Sequence, residues 1–238
     1  MKIALIGYGK MGKEIEKVAL ERKHEIVLKI THSNSQLITD GSLKQADVAI
    51  EFSKPETAVH NIKACIEQGV PIVIGTTGWY DHWEEVKKYC QEKNGTLLAA
   101  TNFSVGVNIF FELNKRLAQL MKNQENYKAH VEEIHHTEKL DSPSGTAITL
   151  AEEILKENNH YKQWVNEESN TDNQLPILSF REAGVPGTHT ISYTSAIDNI
   201  SITHQANNRK GFALGSVLAA EFIKDKLGIF KMKDVLKI

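Results

Sequence analysis

Residues 2–12 read "KIALIGYGKMG", and this stretch decides the fold. Lys2 to Ile6 form a short apolar run suited to a buried strand. Glycines follow at Gly7, Gly9 and Gly12, and Met11, Ile15, Val18 and Ala19 then recur at helical spacing. A glycine loop between a strand and a helix offers backbone N–H groups to a diphosphate. Gly7 permits the tight turn, Gly9 lets the backbone approach a pyrophosphate, and Gly12 lets helix and strand pack closely. The helix N-terminus then faces the negative charge. The alternative is a glycine-rich turn with no ligand, and the strand–loop–helix context speaks against it.

Working outward, apolar runs at 25–30, 46–52, 70–75 and 96–100 read as further strands. Helical segments lie between them, one opening with Pro55 and stopping at Gly69, another closed by Asn94-Gly95. Strands alternating with helices predict a Rossmann-like parallel sheet covered on both faces. After about residue 103 the texture changes. A long amphipathic helix (106–123), a strand (127–136) and a helix (146–158) precede a polar stretch without a clear period. Extended runs at 177–182, 188–196 and 199–207 then read as an antiparallel sheet, and 211–228 as a closing helix. The expected fold class is α/β, a dinucleotide-binding domain over 1–103 followed by an α+β domain over 104–208. The helical segment 209–238 is expected to return to the first domain.

Charge is nearly balanced over the 238 residues, 28 basic against 30 acidic, so no global field invites nucleic acid or an anionic membrane. No apolar run approaches the ~20 residues of a membrane span. The first residues lack a secretory leader's pattern. The two cysteines, Cys65 and Cys90, sit in helical segments, which fits a reducing cytoplasm better than a disulfide scaffold.

The strand at 25–30 runs into Thr31-His32-Ser33-Asn34, where an acid would select NAD by holding the ribose 2′-hydroxyl. No carboxylate there excludes a 2′-phosphate and no arginine grips one. The cofactor is therefore NADH or NADPH. Gly75-Thr76-Thr77-Gly78 and Ala100-Thr101-Asn102-Phe103-Ser104 end the next strands, where ligands of doubly wound sheets sit. Ordinary turns with threonine caps remain the competing reading of each loop.

A second stretch carries the chemistry: "HVEEIHHTEKLDSPSGTA", residues 130–147. On a strand, Glu133 and His135 share one face and Glu132 and His136 the other. Pro143-Ser144-Gly145-Thr146 opens the next helix, whose amides and dipole suit an anion. His135, His136 and Lys139 add positive charge, and a lysine among cations would have its pKa lowered. A metal site is disfavoured, because adjacent histidines on a strand diverge. A polar edge strand with a capped helix is the plainer reading; acid–base chemistry beside a carboxylate site explains more of the residues.

"EEIHHTEKLDSPSGTA" strongly resembles the E-x-H-H-x-x-K-x-D-x-P-S-G-T-A signature of the dihydrodipicolinate reductase family. "GYGKMG", "EFSKPE", "GTTGW", "TNFSVGVN", "REAGVPGTHT" and "THQANNRKGFALG" fall in the family's order across nearly the whole chain. The resemblance implies a second domain with an open mixed sheet that binds substrate and builds a homotetramer. It implies reduction of a small cyclic dicarboxylate by NADH or NADPH in diaminopimelate and lysine biosynthesis. His135 and Lys139 match the acid positions, and His136, Ser144, Gly145 and Thr146 the substrate site. Gly7, Gly9, Lys10, Met11, Gly12, Phe52, Ser53, Gly75, Thr76, Thr77, Thr101, Asn102, Phe103 and Arg209 match the cofactor site. Phe212 also matches, although a core role explains it as well. Arg181 and His189 read as sheet-face residues outside the site. Lys10 stands where many members carry arginine, which bears on NADH against NADPH. A semialdehyde dehydrogenase of similar architecture would need a nucleophilic cysteine at a strand end, and a dinucleotide sensor a basic DNA-binding segment; neither is found.

Overall fold

The computed structural model describes residues 1–208 and 210–238. It divides into two compact units, residues 1–105 with 210–238, and residues 106–209. Arg209 lies outside the described residues.

The first unit is built on six parallel strands: β1 (Lys2–Ile6), β2 (Glu25–Ile30), β3 (Val48–Glu51), β4 (Ile72–Ile74), β5 (Thr96–Ala99) and β11 (Gly228–Phe230). Their order is β11-β5-β4-β3-β1-β2. Side chains alternate between two cores, as the two-residue period of a strand requires. Ala4, Ile6, Ala49, Ile72, Ile74 and Leu97 pack with α2 (Pro55–Glu67) and α3 (Trp83–Glu92). Ile3, Leu5, Val48, Ile50, Val73 and Leu98 pack with α1 (Lys10–Glu21) and α6 (Lys210–Ile223). Glu221 of α6 accepts two hydrogen bonds from Arg22 at 2.8 Å and lies 2.7 Å from His24. Cys65 and Cys90 are both free and buried, and burial pushes both thiols up. Neither is an available nucleophile.

The chain end differs from expectation. α6 stops at Ile223, and β11 and α7 (Met232–Leu236) follow where helix was expected to continue to 228. Gly228, at φ +118°, turns the chain into β11, which pairs with β5. Three residues are too few to register as a strand in sequence periodicity.

The second unit places α4 (Val105–Met121) and α5 (Gly145–Glu157) against one face of a five-stranded sheet. Its strands are β6 (Lys128–His135), β7 (Gln163–Val165), β8 (Gln174–Arg181), β9 (Thr188–Thr194) and β10 (Asn199–Gln205), in the order β10-β9-β6-β8-β7. The sheet is mixed: β6 pairs with β9 antiparallel and with β8 parallel. This corrects the expected run of three sequential antiparallel strands, because β6 inserts between β8 and β9. On β6, Ala129 and Val131 join the apolar core, and the same buried face continues as Glu133 and His135. Among the described residues no helix is long and apolar enough to cross a membrane.

Candidate active site

In the first unit the glycine loop joins β1 to α1. Gly7 has φ +91°, and a Cβ there would lie 2.0 Å from the Phe52 carbonyl oxygen. Gly12 would meet the Gly7 carbonyl at 2.3 Å, and Gly75 the Phe52 ring at 2.1 Å. These three glycines are needed by the protein's own packing. Gly9 differs: a Cβ there would have nothing within 4 Å. Gly9 is the N-cap of α1, and among the described residues no side chain caps that turn. Open space above an uncapped helix start fits a pyrophosphate approaching the backbone. Lys10 is exposed beside it, and Met11 packs partly into the core.

The other cofactor-loop residues divide between surface and core. The Ser53 N–H donates to Thr76 Oγ1 at 2.7 Å, tying the ends of β3 and β4 together. Thr76 is buried, whereas Thr77 and Thr101 are exposed. Asn102 accepts from the Ser104 N–H at 2.9 Å. Phe103 is 2% exposed and packs 5.7 Å from Phe52, so its side chain serves the core. Phe212 is half-buried on α6. At the end of β2, Asn34 accepts the Thr31 N–H at 2.7 Å and donates to the Lys29 carbonyl at 3.0 Å. This closes the turn and leaves His32 exposed.

In the second unit the register of β6 assembles a cluster that strand patterns alone do not reveal. His135 lies opposite Arg181 of β8, and Glu133 opposite His189 of β9. Glu133 is fully buried. Its Oε1 accepts the Ser144 N–H at 3.0 Å and lies 3.4 Å from Arg181 Nη1. Its Oε2 lies 3.1 Å from His135 Nδ1 and 3.8 Å from His189 Nε2. The His135 contact has ion-pair distance but not hydrogen-bond alignment, so Oε2 and Nδ1 have no geometric partner among the described residues. Burial pushes the Glu133 carboxyl up, but His135 and Ser144 outweigh it and take it down to about 2. Burial, with His135 beside it, takes His189 down to about 3, a neutral imidazole. The ligand atoms of Glu133, His135 and His189 lie within 4.8 Å of one another, close enough for a divalent ion. Of these groups, His189 Nε2 already lies 3.2 Å from Ser144 Oγ, and Glu133 Oε1 accepts the Ser144 N–H.

Ser144 is the N-cap of α5: its Oγ accepts the Ala147 N–H at 3.2 Å and lies 3.2 Å from His189 Nε2. Its amide is thus given to Glu133 and its hydroxyl to the first turn of α5. The turn continues through Gly145, where a Cβ would again meet nothing within 4 Å, and Thr146. His136 is half-buried just past β6. Lys139 donates to Asp141 at 2.8 and 2.9 Å and holds that carboxyl below its usual range. The expectation of a lysine crowded by cations is thereby corrected, because its nearest charged partner is a carboxylate two residues on. Arg181 donates to the Asp141 carbonyl at 2.6 Å. Arg181 and His189, read as outside the site, belong to the cluster. The signal for them was the short "EAGVPG" connection, which forces β8 and β9 to leave and enter beside the same end of β6.

The chain matches the family models for the N-terminus of dihydrodipicolinate reductase over residues 1–103 and its C-terminus over residues 106–236. It is 50% identical over 238 residues to a 4-hydroxy-tetrahydrodipicolinate reductase of Christiangramia forsetii, covering 99% of this chain and 98% of that one. A 4-hydroxy-tetrahydrodipicolinate reductase of Neisseria gonorrhoeae is 35% identical over 204 residues, 83% of this chain and 75% of that one. The fold also matches a dipicolinate-bound dihydrodipicolinate reductase from Paenisporosarcina sp. TG-14, with a TM-score of 0.76 at 22% identity over 97% of each chain.

Proposed function

The chain belongs to the dihydrodipicolinate reductase family, and on that premise we propose how its residues divide the reaction. It is an NAD(P)H-dependent oxidoreductase that reduces 4-hydroxy-tetrahydrodipicolinate to tetrahydrodipicolinate with loss of water, in diaminopimelate and lysine biosynthesis. Overall, one hydride and one proton enter and one water leaves. The bound nicotinamide supplies the hydride. Adding it to a conjugated C=C–C=N system moves electrons toward the ring nitrogen, so a proton must arrive from the protein.

The observation that carries the residue assignment is the junction of β6 and α5. An imidazole, His135, and an ammonium, Lys139, stand within one short segment of a helix N-terminus that suits a carboxylate. His135 and Lys139 are the proton-delivering and charge-supplying groups, and His136 adds positive charge around the dicarboxylate. One substrate carboxylate sits on the first turn of α5, at the amides of Gly145 and Thr146 and the Thr146 hydroxyl, with Ser144 fixing the turn. Gly7, Gly9, Lys10, Met11 and Gly12, with Phe52, Ser53, Gly75, Thr76, Thr77, Thr101, Asn102 and Phe103, form the cofactor loops. Residues 106–209 act as the substrate and oligomerisation domain, and the first unit as the dinucleotide-binding domain. The setting is the cytoplasm, a reading supported by two free buried thiols.

The assay is consumption of NADH or NADPH, followed by absorbance, with freshly generated cyclic substrate. Neither an acid nor an arginine stands at the end of β2, so the two cofactors should differ by about 1.4 kcal/mol or less, within roughly tenfold in kcat/KM. Exposed His32 and Lys10 would favour NADPH, a preference that should shrink as salt rises. No turnover with either cofactor sinks the proposal. A preference beyond a hundredfold refutes the account of cofactor choice.

The anion site has its own test. Thr146→Val keeps the shape and removes a hydroxyl whose charge-assisted hydrogen bond is worth about 1.5–3 kcal/mol. KM for the dicarboxylate should rise roughly 10- to 100-fold, and a dicarboxylate analogue should bind correspondingly more weakly by calorimetry. Equal affinity in wild type and variant would remove Thr146 from the site.

We further propose a homotetramer built through the open face of the second unit's sheet. Phe180 on that face is 48% exposed, and Thr190 pairs across strands with Thr203 at 3.0 Å. Light scattering should return four times the 26.7 kDa chain mass; a monomer mass contradicts the assembly.

A further inference from the structure

Glu133 has no part in the reaction as described, yet it is the most enclosed charged group of its unit. Its two oxygens serve different halves of the proposed site. Oε1 takes the backbone N–H of Ser144, which caps α5. Oε2 faces His135 Nδ1 at 3.1 Å, and neither atom has another hydrogen-bond partner among the described residues. At 3.1 Å only the alignment of the imidazole is wanting for a hydrogen bond, and catalytic hydrogen bonds are often poorly aligned without substrate. Around the pair stand Arg181 on Glu133 Oε1, neutral His189, the Lys139–Asp141 ion pair and, beyond His189, His204.

The other edge of the imidazole packs against the Gly187 backbone. A Cβ at Gly187 would lie 3.0 Å from His135 Nε2 and 3.1 Å from Cδ2. Any other residue on the loop entering β9 would press on Nε2. One nitrogen thus faces a buried carboxylate, and the other faces a glycine, a position without a side chain.

We propose that Glu133 is a positioning residue whose carboxylate holds His135 by Nδ1–H, so that Nε2–H is the proton delivered to the substrate, and ties Ser144 to the same anchor. Proton donation then leaves a neutral imidazole that keeps its Nδ1 proton, and Glu133 does not change charge. The arrangement resembles the carboxylate–imidazole pairing of hydrolytic triads in its logic: the acid fixes tautomer and orientation while the outer nitrogen does the transfer. The inference rests on His135 being a proton donor.

The test compares Glu133→Gln, His135→Ala and the double variant. Glutamine keeps an oxygen for the Ser144 amide but not the charge facing Nδ1. Glu133→Gln should lower kcat roughly 10- to 100-fold, leave KM within about threefold, and leave NAD(P)H binding unchanged. The double variant should be no slower than His135→Ala alone, because the two residues act as a unit. A KM rise at unchanged kcat, or losses that multiply in the double variant, would make Glu133 merely structural and overturn the proposal. Full turnover in His135→Ala would instead overturn the donor reading, whatever Glu133→Gln does. If Glu133→Gln does not fold, the wild-type enzyme answers by ¹⁵N-histidine NMR. Neutral His135, assigned through His135→Ala, should be the Nδ1–H tautomer; a bare Nδ1 refutes the proposal.

Discussion

His135→Ala should lower kcat about 100-fold or more while NAD(P)H affinity stays near that of the wild type, the usual scale for removing a general acid. The cofactor loop and His135 belong to different compact units, so the substitution leaves the cofactor's own seat intact. Lys139→Ala should cost a similar factor for a different reason. Its ammonium is held at 2.8 Å by Asp141, which suits a fixed positive charge beside a dicarboxylate. Part of its loss should therefore appear in KM, whereas the His135 loss should appear in kcat. Full turnover in both variants would show that the proton comes from elsewhere and that the junction of β6 and α5 is only a structural corner.

The two units were not equally legible. The first reads more directly, because its central strands β1, β3, β4 and β5 are buried on both faces, so their apolar runs are continuous and the glycine loop stands out after β1. The second hides its topology. Runs such as "ILSFRE" and "THTISYT" announce strands, but period-two patterning carries no information on which strand lies beside which. β6, earlier in the chain, takes the place between them, and with it the neighbours of Glu133 and His135 change. Arg181 and His189 therefore join the Glu133 cluster by register, not by motif. Ser144 shows the converse: it is named by the motif, yet its amide and hydroxyl are already committed to Glu133 and to the helix cap. Phe103 likewise lies in a loop matched to the cofactor, while its ring is drawn into the core against Phe52. The strands β7 and β11, three residues each and, unlike β4, not set within a longer apolar run, show too little periodicity to be read as strands.

Gly7→Ala and Gly9→Ala should fail in opposite ways, although the two glycines stand two residues apart. At Gly7 a methyl group would lie 2.0 Å from the Phe52 carbonyl oxygen, a backbone atom that cannot turn aside. Phe52 is held by its N–H, which donates to the Ile6 carbonyl at 2.8 Å in the pairing of β1 with β3. Relief must come from separating two central strands, and φ of +91° adds about 1–2 kcal/mol of backbone strain for a non-glycine residue. Gly7→Ala should therefore destabilise the fold by more than about 3 kcal/mol, the scale reached by severe overpacking together with backbone strain. At Gly9 a methyl group meets no protein atom within 4 Å, so thermal stability should match that of the wild type. What it would meet is a pyrophosphate at the uncapped start of α1, so NAD(P)H affinity should fall at least about tenfold, or 1.4 kcal/mol. Thermal melts and cofactor titration of both variants separate the two causes. Unchanged cofactor binding in a well-folded Gly9→Ala would mean that the diphosphate does not lie over this turn. Unchanged melting of Gly7→Ala would mean that β1 and β3 yield where their pairing indicates they cannot.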